Sequence, residues 1–269
     1  MFGHIVVAVD FSPSWESIAR ALPALRGWGC ERLTLVHVLA SAYGQVPAET
    51  HRERYETSLM EYRDSLSQAG FAVDTVVATG EPARTLVDVA VNAAADAVLA
   101  GSRGHSTIRE LFLGSTVLNL ARLTRIPMLL WPMNAVLPPV ANLRKVVLGT
   151  DCSGAAAAAE ARFIELVAAG LDGVAVCAIE RGERVDREQE QSCASAHMER
   201  LKSEGGGKVS FRLVEGLAAQ VILKTSRDVR ADLIVVGKRG RNRMRELLLG
   251  STAEAVCRGS GLPVLLVPG

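Results

Sequence analysis

The chain has little of what would mark a membrane, secreted or nucleic-acid protein. No apolar run approaches the roughly 20 residues that a membrane helix needs. The N-terminus, 1–10, has no basic stretch ahead of its short apolar run, so no signal peptide is expected and a cytoplasmic location is. Net charge is +1, so no global field recruits nucleic acid or an anionic membrane. Aromatic residues make up 4%, and Trp15, Trp28 and Trp131 stand apart, which gives no stacking platform for single-stranded nucleic acid. The five cysteines, Cys30, Cys152, Cys177, Cys193 and Cys257, form no C-x-x-C pair. They read as free thiols, each a small buried hydrophobe. His4, His37, His51, His105 and His197 have no metal-ligand spacing, so no metal set is expected. No nucleophile–base pair and no acidic cluster suggests catalysis.

What is present is a duplication. Residues 101–116 and 237–252 align without a gap and are identical at ten of sixteen positions, both reading G-x2-G-x9-G-S-T. The first carries Gly101, Gly104, Gly114, Ser115 and Thr116; the second carries Gly237, Gly240, Gly250, Ser251 and Thr252. Each follows a short apolar run and leads into a helical pattern that stops at Pro127 or Pro263. Glycines let backbone N–H groups approach a ligand closely, and a helix start adds free donors and the positive dipole end. This is a phosphate-holding arrangement, although no Gly-Lys-Ser/Thr makes it a Walker A loop.

The repeat extends further. The apolar run ending at Asp10 is echoed by the run ending at Asp151, and 33–38 by 174–179. Two domains are expected, 1–134 and 143–269, joined by a Pro-rich linker at 135–142. In the first half, strands are expected at 4–10, 33–39, 71–78, 97–100 and 128–131, with helices at 14–27, 47–68 and 82–94 and one after Gly114. Apolar strands alternating with helices predict an α/β fold, a parallel sheet covered on both faces in each half. Ligands of such sheets sit beyond the carboxyl ends of the strands. In the second half, polar residues 182–195 read as the start of a long helix that ends at Gly205-Gly206-Gly207.

Asp10 and Asp151 could face a ligand or cap the helices that follow. Glu110 and Glu246 adjoin Arg109 and Arg245, which suits local ion pairs. The second loop is the more basic, with Lys238, Arg239, Arg241, Arg243 and Arg245. That suits either a polyphosphate or a solvated surface, and the solvated surface is preferred.

With these residues assembled, the chain resembles the universal stress proteins in their tandem form. The resemblance rests on the two glycine signatures, on the Asp at each strand-one end and on the five-strand order. It implies two doubly wound, Rossmann-like, five-stranded parallel sheets. It implies binding of ATP or a related adenine nucleotide, with or without Mg²⁺, and a regulatory role in the stress response that needs no enzymatic turnover. It implies pairing of the two halves as a pseudo-dimer, with homodimerisation open and the protein partner unknown. Carried over, Val38 and Ile179 would lie beside adenine. Asp10 and Asp151 would face the ribose or a cation, and the two Gly-Ser-Thr sets would wrap the phosphates. Gly149 in place of Ala8, Ala178 in place of His37, and Gly154 after Ser153 should weaken the second pocket's rim. Two alternatives stay open: a scaffold with vestigial pockets, and a weak ATPase.

Overall fold

The computed structural model describes residues 2–40, 49–102, 113–132, 143–179, 194–195, 197–240 and 248–269. The chain forms two compact units, Met1–Asn142 and Leu143–Gly269.

In the first unit the strands are β1 (His4–Ala8), β2 (Arg32–Ala40), β3 (Ala72–Gly80), β4 (Ala97–Gly101) and β5 (Met128–Trp131). All pair in parallel in the order β3-β2-β1-β4-β5. The helices are α1 (Pro13–Ala21), α2 (Glu49–Gln68), α3 (Pro82–Asn92) and α4 (Ser115–Leu123). The second unit repeats the plan with β6 (Lys145–Gly149), β7 (Asp172–Ile179), β8 (Val209–Glu215), β9 (Leu233–Gly237) and β10 (Val264–Val267). Its order is β8-β7-β6-β9-β10, again parallel. Its helices are α5 (Ala157–Ala168), α6 over 197–204, α7 (Ala218–Asp228) and α8 (Ser251–Gly259). The turn at 205–207 follows α6, where the three glycines were expected to end the long helix; its expected polar start lies almost wholly outside the described residues.

Central strands are apolar throughout because both faces are covered: Ile5, Val6, Val7, Val146, Val147 and Leu148 are fully buried. Each such side chain contributes about 1.5–3 kcal/mol of transfer free energy. In each unit the chain order reverses between the first strand and the fourth, so the carboxyl ends of β1 and β4, and of β6 and β9, flank a switch-point crevice.

Three expectations need correction. The helix expected at 14–27 is α1 followed by a 3-10 stretch, Leu22–Trp28, that ends on left-handed Gly29 at φ 81°. Pro23 lacks the N–H to continue an α-helix and clashes with the preceding turn, so the ladder changes there. The strand expected at 4–10 stops at Ala8, because the chain turns sharply at Asp10 and Phe11. Gly149 is not a rim residue. It is buried in β6, and a Cβ there would lie 2.4 Å from Ile222 Cδ1 and 3.1 Å from Val236 Cγ1. The space that Ala8 fills in the first unit is filled by a longer side chain from α7. Gly149→Ala is therefore expected to cost about 1–3 kcal/mol by overpacking. Ile222→Val should return part of that cost in a double-mutant cycle, and strict additivity of the two losses in urea denaturation would show that they do not touch.

Candidate nucleotide site

Each site starts where the first strand ends. In the first unit Val9 N–H donates to Val36 O at 2.8 Å and holds the strand exit beside β2. Asp10 Oδ1 then accepts from Ser12 N–H at 3.0 Å, and Phe11 between them is left-handed at φ 53°. The second unit reproduces this. Thr150 N–H donates to Val176 O at 3.0 Å, Asp151 Oδ1 accepts from Ser153 N–H at 3.0 Å, and Cys152 is left-handed at φ 58°. The aspartates thus close a turn with one carboxylate oxygen. They do not cap the helical segments that follow: the N-cap residues are Ser12 for α1, Ser153 for the 3-10 turn Gly154–Ala156 and Ala156 for α5, none with a side-chain capping bond.

The glycine signature meets this turn from β9. Ser102 N–H donates to Trp131 O at 2.7 Å, and Lys238 N–H to Val267 O at 2.7 Å, so each loop leaves its strand pinned to the fifth. The third glycine returns to the same residue: Gly114 N–H donates to Ser102 O at 3.3 Å, and Gly250 N–H to Lys238 O at 2.9 Å. A Cβ at Gly250 would lie 3.2 Å from Lys238 O, and one at Gly240 would lie 2.7 Å from Asp151 Oδ2. The spacing is therefore explained by close approach, and the second signature glycine sits directly against the strand-one carboxylate.

Gly114 and Gly250 are the N-caps of α4 and α8. The first helical bonds are Leu118 N–H to Gly114 O and Glu254 N–H to Gly250 O, both 2.9 Å. Ahead of them lie the first-turn amides, including those of Ser115, Thr116, Ser251 and Thr252, with the dipole's positive end. Ser115 and Ser251 are exposed, and Thr116 and Thr252 half-exposed.

Of the expected site residues, Asp10, Val38, Gly101, Gly114, Ser115 and Thr116, and Asp151, Gly237, Gly240, Gly250, Ser251 and Thr252, are described. Gly104 lies outside the described residues, as do Arg103, His105, Arg109, Glu110, Arg241, Arg243, Arg245 and Glu246. Lys238 is only 4% exposed, so this member of the basic loop does not sit on the solvated surface preferred for it.

One pairing changes. Ala8 registers with Val36 and Gly149 with Val176, so the second strands of the two units align with an offset one shorter than the first strands do. The counterpart of Val38 is Ala178, both half-exposed; Ile179 is buried and matches Leu39. By the same register the counterpart of His37 is Cys177 and not Ala178.

The turns are braced differently. Behind Asp10, the rings of Phe11 and His37 lie 4.9 Å apart, His37 and Tyr55 4.1 Å, and Phe11 and Tyr55 5.3 Å. His37 Nδ1 donates to Val9 O at 2.8 Å. Trp15 packs edge-on against Tyr62 at 5.2 Å. Behind Asp151 stand Cys152 and Cys177, and beside them a polar chain that sequence reasoning missed. Glu160 of α5, 3% exposed at its side chain, accepts from Thr150 Oγ1 at 2.6 Å and pairs with His197 Nε2 at 2.7 Å and Arg200 Nη2 at 3.0 Å from α6. Thr150 Oγ1 in turn accepts from Cys152 N–H at 3.0 Å. A buried carboxylate is tolerated because these donors replace its water. Nothing in the sequence around Glu160 distinguishes it from an exposed helical glutamate.

Known proteins place this arrangement. The model of the universal stress protein family matches residues 1–132 and again 142–268. A universal stress protein of Mycolicibacterium smegmatis is 28% identical over 287 aligned positions, covering 98% of this chain and 96% of that protein. A universal stress protein of Methanocaldococcus jannaschii is 38% identical over 77 positions, 28% of this chain and 48% of that one. The crystal structure of a universal stress protein from Archaeoglobus fulgidus superposes with a TM-score of 0.77 at 20% identity, covering 98% of this chain and 96% of that one. With two family matches that between them span nearly the whole chain, and with the family's α/β fold in each unit, this chain belongs to the universal stress protein family as a tandem of two such domains.

Proposed function

We propose that the chain is an adenine-nucleotide-binding regulator of the stress response. ATP or a close relative binds at the switch-point crevice of each unit, and occupancy sets the surface offered to a protein partner. The observation that carries this reading is the abutment of Asp151 and Gly240, with the first-turn amides of α8 beyond Gly250. One carboxylate oxygen is spent on Ser153, and the other faces the loop whose geometry suits phosphate. Adenine would lie against the backbone at Val38 and, by the register, at Ala178. Mg²⁺ would enter with the phosphates, since among the described residues no group of three His, Cys, Asp or Glu side chains forms a cation site. The role is binding and not turnover. Among the described residues no helix is long and apolar enough to cross a membrane.

Isothermal titration of the purified chain with ATP·Mg²⁺ tests this. Two nucleotides per chain, with a rise in thermal midpoint, are expected. No heat of binding and no thermal shift at millimolar nucleotide would leave a scaffold with vestigial pockets, and steady phosphate release would make it an ATPase.

A further inference from the structure

The second unit's Asp turn contains a thiol pair where the first unit has two rings. Phe11 and Cys152 are the left-handed residues after Asp10 and Asp151, at φ 53° and 58°. His37 and Cys177 are equivalent by strand register, each one residue beyond the carbonyl that receives the strand-exit amide. The rings of Phe11 and His37 touch at 4.9 Å, so the shared backbone brings the two cysteine side chains to the same meeting point. Neither is in a disulfide; Cys177 is buried and Cys152 half-exposed. They lie 25 residues apart in sequence, which is why no motif announced them.

We propose that Cys152 and Cys177 are a modification site, a thiol pair that a hydroperoxide converts to an intramolecular disulfide tethering the Asp151 turn to β7. The half-exposed Cys152 reacts first. Its sulfur attacks one peroxide oxygen, the O–O bond breaks, the alcohol or water leaves with the thiol's proton, and Cys152 becomes a sulfenic acid. Cys177 sulfur then attacks that sulfur. The S–S bond forms, the S–O bond breaks, and hydroxide departs as water with the Cys177 proton. Two thiols are oxidised by two electrons and one hydroperoxide is reduced. At rest the Cys177 thiol beside it, then burial and the Glu160 and Asp151 carboxylates, push the Cys152 thiol up, so that thiol rests protonated and its oxidation is slow.

The consequence for the site rests on the nucleotide reading. Asp151 is adjacent to Cys152, and its Oδ2 faces Gly240. A bond at Cys152 therefore moves the carboxylate that lies against Gly240, whereas Phe11 and His37 offer the first unit no such bond.

The reduced full chain is treated with hydrogen peroxide, digested without reductant and mapped by mass spectrometry, with ATP·Mg²⁺ titrated before and after. The expected result is a loss of two hydrogens and one crosslink joining the peptides of Cys152 and Cys177. Cys152→Ser and Cys177→Ser abolish it, and Cys30→Ser and Cys257→Ser keep it. ATP affinity at one of two sites changes at least threefold on oxidation, and not in Cys152→Ser. Sulfinic acid on Cys152 without a crosslink, or a crosslink to Cys193, overturns the pair. A crosslink with unchanged ATP binding overturns its coupling to Asp151. A crosslink in a chain that binds no ATP in either state upholds the pair and removes the nucleotide reading instead.

Discussion

If each unit binds a nucleotide as proposed, Gly240→Asp is expected to abolish binding by the second unit and leave the first intact, so that titration with ATP falls from two nucleotides per chain to one. The reason is local. Any Cβ at 240 meets Asp151 Oδ2 at 2.7 Å, closer than real side chains approach. Aspartate adds a second negative charge at the same point, facing the ligand's phosphates as well. Like charges about 4 Å apart near a protein surface repel by up to about 4 kcal/mol. At about 1.4 kcal/mol per decade, a loss of at least 100-fold in affinity is expected at this site. Gly240→Ala, with the steric term alone, should weaken binding by about tenfold. Retention of both sites in Gly240→Asp, with the far-ultraviolet dichroism unchanged, would sink the proposed placement of the phosphates.

The largest stability effect is expected from Phe163→Ala. Phe163 is fully buried in α5, and a Cβ on Gly173 would lie 2.6 Å from its Cζ, so the ring is seated on β7 where that strand has no side chain of its own. Removing it leaves a cavity that a backbone ledge cannot collapse into. A loss of about 3–5 kcal/mol is expected, which is a large part of the 5–15 kcal/mol of an ordinary domain. Hydrogen exchange over 145–149 and 172–179 reads this directly, since the protection of central strands tracks global opening. A fall of 100-fold or more is expected, and a change under fivefold would mean that Phe163 is not a keystone of the second unit. Phe163→Leu, which fills most of the volume, should cost clearly less.

Those two residues show what the sequence discloses and what it conceals. The glycine signatures, the strand-one aspartates and the succession of strands and helices along the chain were legible because each is local: a run of apolar residues, a fixed spacing, a repeat. Gly240 was legible as a signature glycine, but its neighbour was not, because 89 residues separate it from Asp151. Phe163 and Gly173 look ordinary apart and matter only as a pair. The one-residue difference between strand offsets is invisible until hydrogen bonds fix the register, and aligning by the first strand alone paired His37 with Ala178. Pro23 was visible, yet the apolar pattern around it reads as helix straight through. Glu160 needed α6 to be placed before its burial made sense.

The brace of Phe11, His37, Tyr55, Trp15 and Tyr62 has an optical consequence. All three tryptophans and all three tyrosines of the chain lie at or before residue 131, within the first unit, and the second unit has none. Tryptophan and tyrosine absorbance and fluorescence therefore originate in one unit, although both carry a candidate site. Phe11 adjoins Asp10 and stacks on Tyr55, which places an emitter one ring behind the first crevice. On the proposed nucleotide reading, a titration followed by emission is expected to count the first site and the same titration followed by heat to count both, so that their difference gives the occupancy of the second without a label on the chain.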